Sequence, residues 1–112
     1  MVIMKEKFAT FEVFYPFYLK QHSNKICRLL HVIGTTIVFA LAITAVYHNN
    51  PKLWILVPIA GYGFAWVGHF FFEKNKPATF KYPFWSLKSD FKMYFEILSV
   101  KITLDSSKDE HF

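Results

Sequence analysis

Cysteine is nearly absent from this chain. Cys27 stands alone among 112 residues, so no intrachain disulfide can staple the fold. A lone thiol is compatible with a reducing compartment. Behind Lys5 and Lys7 there is no apolar run, because Glu6 and Glu12 interrupt it, and a cleaved signal peptide is not expected. The thirteen Lys and Arg residues give a formal charge of +5 but form no stripe with recognition spacing, which argues against nucleic acid as a partner. No His-Glu-x-x-His zinc motif occurs. The multi-histidine boxes of the di-iron membrane desaturases and hydroxylases are missing too. There is no internal repeat and no low-complexity tract.

Charge is missing altogether from two long stretches, residues 29–47 and 53–72. Each is near the ~20 apolar residues that cross ~30 Å of hydrocarbon. Hydrophobic residues make up 54% and aromatics 21%, with 14 Phe, too many rings for a small soluble core to hide. Only His48-Asn49-Asn50-Pro51-Lys52, a turn-forming cluster, separates the stretches, so they must form an antiparallel hairpin. Five cations precede the first span (Lys5, Lys7, Lys20, Lys25, Arg28), one lies in the turn (Lys52), and seven follow the second. The positive-inside rule then puts both termini in the cytoplasm. The alternative is a soluble helical hairpin buried in an oligomer.

The flanks carry helical patterns of their own. Phe8, Phe11, Tyr15, Tyr18 and His22 step by three and four, with Pro16 as a bend or a fresh start. Leu87, Phe91, Tyr94, Leu98 and Ile102 form a second stripe, with Lys88, Lys92, Glu96 and Ser99 on other faces. Pro58 is expected to kink the second span. Gly34, Ala42 and Ala45 on one span, and Gly61, Ala65 and Gly68 on the other, suit close helix packing. The expected fold is all-α, one integral-membrane domain over residues 1–112. It is a two-helix transmembrane hairpin flanked by N- and C-terminal amphipathic interfacial helices. The polar tail, residues 105–112, is expected to be disordered.

Topology sorts the five histidines. His22, His31 and His69 come to the cytoplasmic end of the hairpin, with Glu73 one turn after His69. His48 lies in the turn about 25 Å away, and His111 in the tail. Ionisable groups at membrane depth suggest function, and imidazoles with a carboxylate are typical ligands of non-haem iron or zinc. Taken singly, each histidine also reads as an amphipathic interface residue. Tyr62, Trp66, His69 and Glu73 fall at i, i+4, i+7 and i+11, one helical face, which could form an acyl-chain slot ending in a polar site. Ordinary packing would explain Tyr62 and Trp66 equally well. Arg28, Lys74 and Lys76 could attract an anionic head, or simply set topology.

Three blocks are more specific: Tyr18-x-x-x-His22-x-Asn24, Arg28-x-x-His31-x-x-Gly34, and Val67-Gly68-His69-x-x-x-Glu73-Lys74-x-x-Pro77-Ala78. In this order, around apolar helices, they resemble domain-of-unknown-function family 962, whose characterised fungal member is a 2-hydroxypalmitate dioxygenase. The resemblance spans residues 14–95. It implies an integral membrane enzyme that uses Fe(2+) and dioxygen to shorten a 2-hydroxy fatty acid by one carbon, without 2-oxoglutarate. It also implies His22, His31 and His69 as metal ligands, with Glu73 a ligand or the acceptor that orients one. The fungal form has Asn at the position of Cys27 and a basic residue at that of Asn75, so neither is assigned a role. Eukaryotic members carry extra apolar segments that this chain lacks. Two other classes fit the same residues: a haem protein with His31 and His69 as paired axial ligands, or a non-catalytic membrane scaffold. In a homo-oligomer, a neighbouring protomer would be a further source of ligands.

Overall fold

The computed structural model describes residues 8–109, and all regular structure within them is helical. Lys5, Glu6, Lys7 and His111 lie outside the described residues. Four α-helices form the frame: α1 (Phe11–Lys20), α2 (Lys25–Tyr47), α3 (Leu53–Val67) and α4 (Pro83–Leu98). Helix α2, and α3 with its continuation to Glu73, are each long and apolar enough to cross a bilayer.

Local chemistry sets the boundaries. Thr10 caps α1 by accepting the Val13 N–H at 3.3 Å. Asn24 caps α2, its Oδ1 accepting from Ile26 (2.8 Å) and Cys27 (3.1 Å). Between the spans, Asn49 takes the left-handed conformation (φ 50°) and the Asn50 side chain accepts the Lys52 N–H at 3.1 Å. Pro83 stands at the start of α4, where its missing N–H costs nothing. Both α1 and α3 run on through their prolines, Pro16 and Pro58, without ending.

The second span is not one α-helix to Phe72 as its hydropathy suggested. At Gly68 the winding widens into a π-helical turn, Gly68–Glu73. Lys74, left-handed at φ 61°, closes it, and the Asn75 N–H bonds back to the His69 carbonyl at 3.0 Å.

Glycine permits the close crossing of the hairpin. A Cβ on Gly34 would come within 2.9 Å of the Phe64 Cβ, and one on Gly68 within 2.9 Å of the Cys27 Sγ and 3.2 Å of its Cα. Gly63, by contrast, faces open space.

Helices α1 and α4 pack on each other at the end of the hairpin away from the turn. Phe14, Tyr15, Tyr18, Leu19, Met93 and Ile102 form their core. Ile102 belongs to it from outside α4, which ends at Leu98, so it is not on the helical stripe the sequence suggested. Glu96 accepts the Tyr15 hydroxyl at 2.7 Å and the Lys92 ammonium at 2.9 Å. Lys88 and Lys92 lie over the rings of Phe11 and Tyr15.

The tail expected to be disordered docks instead as far as Asp109. Arg28, the chain's one arginine, is fully buried. It donates to the His22 carbonyl at 2.6 Å and the Thr103 carbonyl at 2.8 Å, and grips Asp109 with two nitrogens at 3.0 and 2.5 Å. Its part is to bind the chain to itself, so it is not available to attract a ligand.

The glycine contacts generate a controlled prediction. Gly34→Ala and Gly68→Ala should each cost about 1–3 kcal/mol through overpacking, while Gly63→Ala should not destabilise. Thermal unfolding in detergent checks this. Equal melting temperatures for all three variants would rule out the close crossing.

Candidate metal centre

Each of three histidines reaches the centre from a different element. His22 follows α1, one residue past its capping Gln21. Rings stack in sequence along that helix, Phe11 on Tyr15, Tyr15 on Tyr18 and Tyr18 on His22, the last with centroids 3.9 Å apart. The aromatic stripe on α1 thus ends in the imidazole it holds. His31 stands on the second turn of α2, and His69 on the π-helical turn. The close approach of Gly68 to Cys27 brings these two together. His22, His31 and His69 are 1%, 6% and 2% exposed.

The Nδ1 side of every ring is committed. His22 Nδ1 lies 2.7 Å from the Tyr18 carbonyl oxygen, and His31 Nδ1 2.8 Å from that of Cys27. Carbonyls only accept, so both Nδ1 atoms carry the proton. His69 Nδ1 lies 2.7 Å from Asn75 Oδ1. The Asn75 amide nitrogen is oriented by donating to the Gln21 carbonyl (3.0 Å) and Gln21 Oε1 (3.1 Å), so here too the histidine donates. With three N–H groups pointing outward, three Nε2 lone pairs point inward.

Those lone pairs converge. His22 Nε2 is 3.1 Å from His31 Nε2 and 2.9 Å from His69 Nε2. The rings stand nearly perpendicular to one another, at 83°, 79° and 88°. Neutral imidazoles cannot hydrogen-bond through two bare nitrogens. Protonation would relieve the repulsion, but burial holds His22 well below the usual histidine range, with His31 and His69 adding to the effect. A cation relieves it directly. The ligand atoms lie within 4.8 Å of one another and could hold a metal ion. Neighbouring nitrogens each ~2.1 Å from one ion sit about 3 Å apart, as two pairs do here. The donor set fits a divalent transition metal with positions left open.

Glu73 is not in this cluster. Its carboxylate accepts the Asn24 backbone N–H and the Ser23 hydroxyl, the latter at 3.3 Å. It ties the chain between His22 and His31 to the π-helical turn and bonds no imidazole among the described residues. Cys27 Sγ lies 3.7 Å from His31 Nδ1, on the outward edge of that ring. His48 caps the far end of α2, away from the site. The third imidazole occupies the space a macrocycle would need between His31 and His69, whose ring centroids are 5.1 Å apart, so paired axial haem ligation does not fit.

A small pocket opens on the histidines, walled by Tyr18, Tyr62, Trp66, Thr79, Ser86 and Asp90. Tyr62 and Trp66 therefore both reach the site. Beside it is an apolar cavity of about 200 Å³ between α2, α3 and α4, lined by Val38, Val57, Pro58, Tyr62, Leu87 and Phe91 among others. His31, Tyr62, Ala65 and Asp90 border both spaces. This apolar cavity lies between three helices and not along the single face of α3. No Lys or Arg lines either space among the described residues. Lys76 faces a separate groove with Phe17 and Phe80.

Sequence reasoning set Asn75 aside and missed Ser86 and Asp90. Asp90 accepts the Tyr18 hydroxyl, and burial pushes its carboxyl up to about 7 against the opposing effect of that hydrogen bond. One signal was available: Ser86 and Asp90 are one helical turn apart, next to the apolar positions Leu87 and Phe91.

The family described as 2-hydroxy-palmitic acid dioxygenase Mpo1-like matches residues 8–102, most of the chain. No curated protein and no solved structure matches it.

Two outcomes are expected of this geometry. Asn75→Ala should weaken metal binding about 10- to 100-fold by freeing the His69 ring; a cobalt titration giving wild-type affinity would refute the ring-holding role. The second concerns pH. His22 binds its proton less well folded than unfolded, so stability is fullest above about pH 6.5 and falls as the pH drops below that value, where only the unfolded chain takes the proton up. Chelator-treated protein should melt lower at about pH 5.5 than at about pH 7.5, and His22→Gln should flatten the slope.

Proposed function

The chain belongs to the 2-hydroxy-palmitic acid dioxygenase Mpo1-like family, and from that premise we propose an integral-membrane, Fe(2+)-dependent dioxygenase that shortens 2-hydroxy fatty acids by one carbon. One observation carries the reading: three outward-anchored imidazoles turn bare nitrogens to a common point, beside a cavity with apolar walls. His22, His31 and His69 hold the iron. When bound, iron supplies the chemistry that brings dioxygen to react with the 2-hydroxy acid.

The chain's own residues do the rest. Burial keeps bulk water from the imidazoles. Tyr62 stands where pocket and cavity meet, and Trp66, in ring contact with it at 5.7 Å, closes the histidine side. The acyl tail lies in the cavity between α2, α3 and α4, its polar head toward the histidines.

The bilayer reading rests on the outer faces of the spans. Only 17% of each apolar window is buried within the chain, and Ile43, Val46, Ile55, Ile59 and Phe71 face outward. In a soluble core helix those positions would be covered. On α4, Phe84, Leu87, Phe95 and Leu98 are exposed while Ser86, Ser89 and Glu96 are buried. That inversion suits a helix with one side against lipid. The excess of Lys flanking the histidine end in the sequence supports a cytoplasmic side for it and for both termini.

Detergent-purified protein should consume oxygen with 2-hydroxypalmitate but not with palmitate. Chelation should abolish the uptake and ferrous iron, but not zinc, should restore it. Iron-independent uptake, or an iron content unchanged in His31→Ala and His69→Ala, would overturn this reading.

A further inference from the structure

Hydroxyls inside a helix normally find the carbonyl four residues back. Thr36 and Thr44 do so in α2, donating to Val32 and Ala40, both at 2.8 Å. Ser86 in α4 does not. It is 1% exposed, and its Oγ has no hydrogen-bond partner among the described residues. The carbonyl one turn back, that of Tyr82, receives the Ser86 backbone N–H at 2.8 Å but not the hydroxyl. Ser86 lines the histidine pocket. Ser89, equally buried and equally unpartnered, lines neither that pocket nor the apolar cavity.

An unpaired buried hydroxyl is destabilising, and at the wall of a binding pocket it is also a donor held ready. No Lys or Arg lines the pocket, Tyr18 has given its hydroxyl to Asp90, and the three imidazole N–H groups point outward. Tyr62, Trp66 and Thr79 also bring donors to the wall but are partly exposed, whereas the Ser86 hydroxyl is both buried and unpartnered. We infer that Ser86 Oγ donates the hydrogen bond that receives the carboxylate of the 2-hydroxy acid opposite the histidines. Helix α4 thereby grips the head of the substrate while the hairpin carries its chain. This rests on the proposed function for the substrate class, and on the orphaned hydroxyl for the residue. Ser86 is a substrate-binding residue with no part in holding metal.

The test compares Ser86→Ala, Ser86→Thr and Ser89→Ala in the detergent-purified, iron-loaded full chain. Equilibrium binding of 2-hydroxypalmitate and oxygen uptake are both measured. Loss of a hydrogen bond to a charged group should weaken binding about tenfold or more in Ser86→Ala. That variant should raise KM more than it lowers kcat, with iron content at the wild-type value and a melting temperature at or above it. Ser86→Thr, which keeps the hydroxyl, should recover binding, and Ser89→Ala should bind as wild type. Wild-type binding by Ser86→Ala, or an equal loss in Ser89→Ala, overturns the inference even if the enzyme turns over. Ser86-dependent binding without oxygen uptake sustains the inference and defeats the dioxygenase reading. Absence of any binding of 2-hydroxypalmitate by the wild-type protein overturns both.

Discussion

Three imidazole lone pairs held face to face are the constraint around which the rest of this structure is arranged. Bringing bare nitrogens within about 3 Å in a buried space is unfavourable unless a cation joins them. The fold supplies the opposing restraint through three hydrogen bonds on the far side of each ring. Two of the acceptors are backbone carbonyls, at Tyr18 and Cys27, and the third is the Asn75 amide. Each ring's tautomer and direction are fixed by the chain before any metal arrives, so less is lost in ordering the ligands when it does.

That restraint needs support from residues that touch no imidazole side chain. The His22 carbonyl is held by Arg28, whose guanidinium is held in turn by Asp109 and the Thr103 carbonyl. Glu73 binds the Ser23–Asn24 link to the π-helical turn that carries His69. Gly68 lets that turn lie against the start of α2. A buried arginine with its acceptors satisfied is costly to disturb, since removing one partner leaves a charge in a low-dielectric setting. The C-terminal segment is therefore part of the apparatus that aims His22, although it lies 81 positions along the chain from the arginine it grips.

Much of this was legible in the sequence, and the reasons are physical. Two uncharged runs with a five-residue link leave one topology, and topology alone brings His22, His31 and His69 to one end while sending His48 to the other. The small residues Gly34 and Gly68 marked the close crossing. What could not be read depends on local winding and long-range pairing. Periodicity assumes 3.6 residues per turn, so it carried the second span past Gly68 unchanged and put Glu73 on one face with His69; the widened turn ends instead with Glu73 accepting from Asn24 at the α2 N-terminus. Asn75 lies beyond the helical repeat and meets His69 only because Lys74 turns the chain back through a left-handed conformation. Arg28 looked like an interfacial cation because its partner is at the other end of the chain. The tail looked free for the same reason.

The charge distribution around the centre adds a consequence on the proposed reading. Among the described residues, Asp90 carries the one carboxyl bordering both the pocket and the apolar cavity, and no Lys or Arg lines either space. A 2-hydroxy carboxylate entering such walls meets no fixed positive charge. In a medium of low dielectric an unpaired anion is strongly disfavoured. The positive charge that admits it would then come from a metal on the three histidines, with the Ser86 hydroxyl on α4 placed to receive the acid. Binding of metal and acid would thereby be linked: the acid would bind weakly without the metal, and by reciprocity each would strengthen the other by the same factor. A cation in the wall would have bound the acid without the metal. With none in the wall among the described residues, acid binding would depend on the loaded centre.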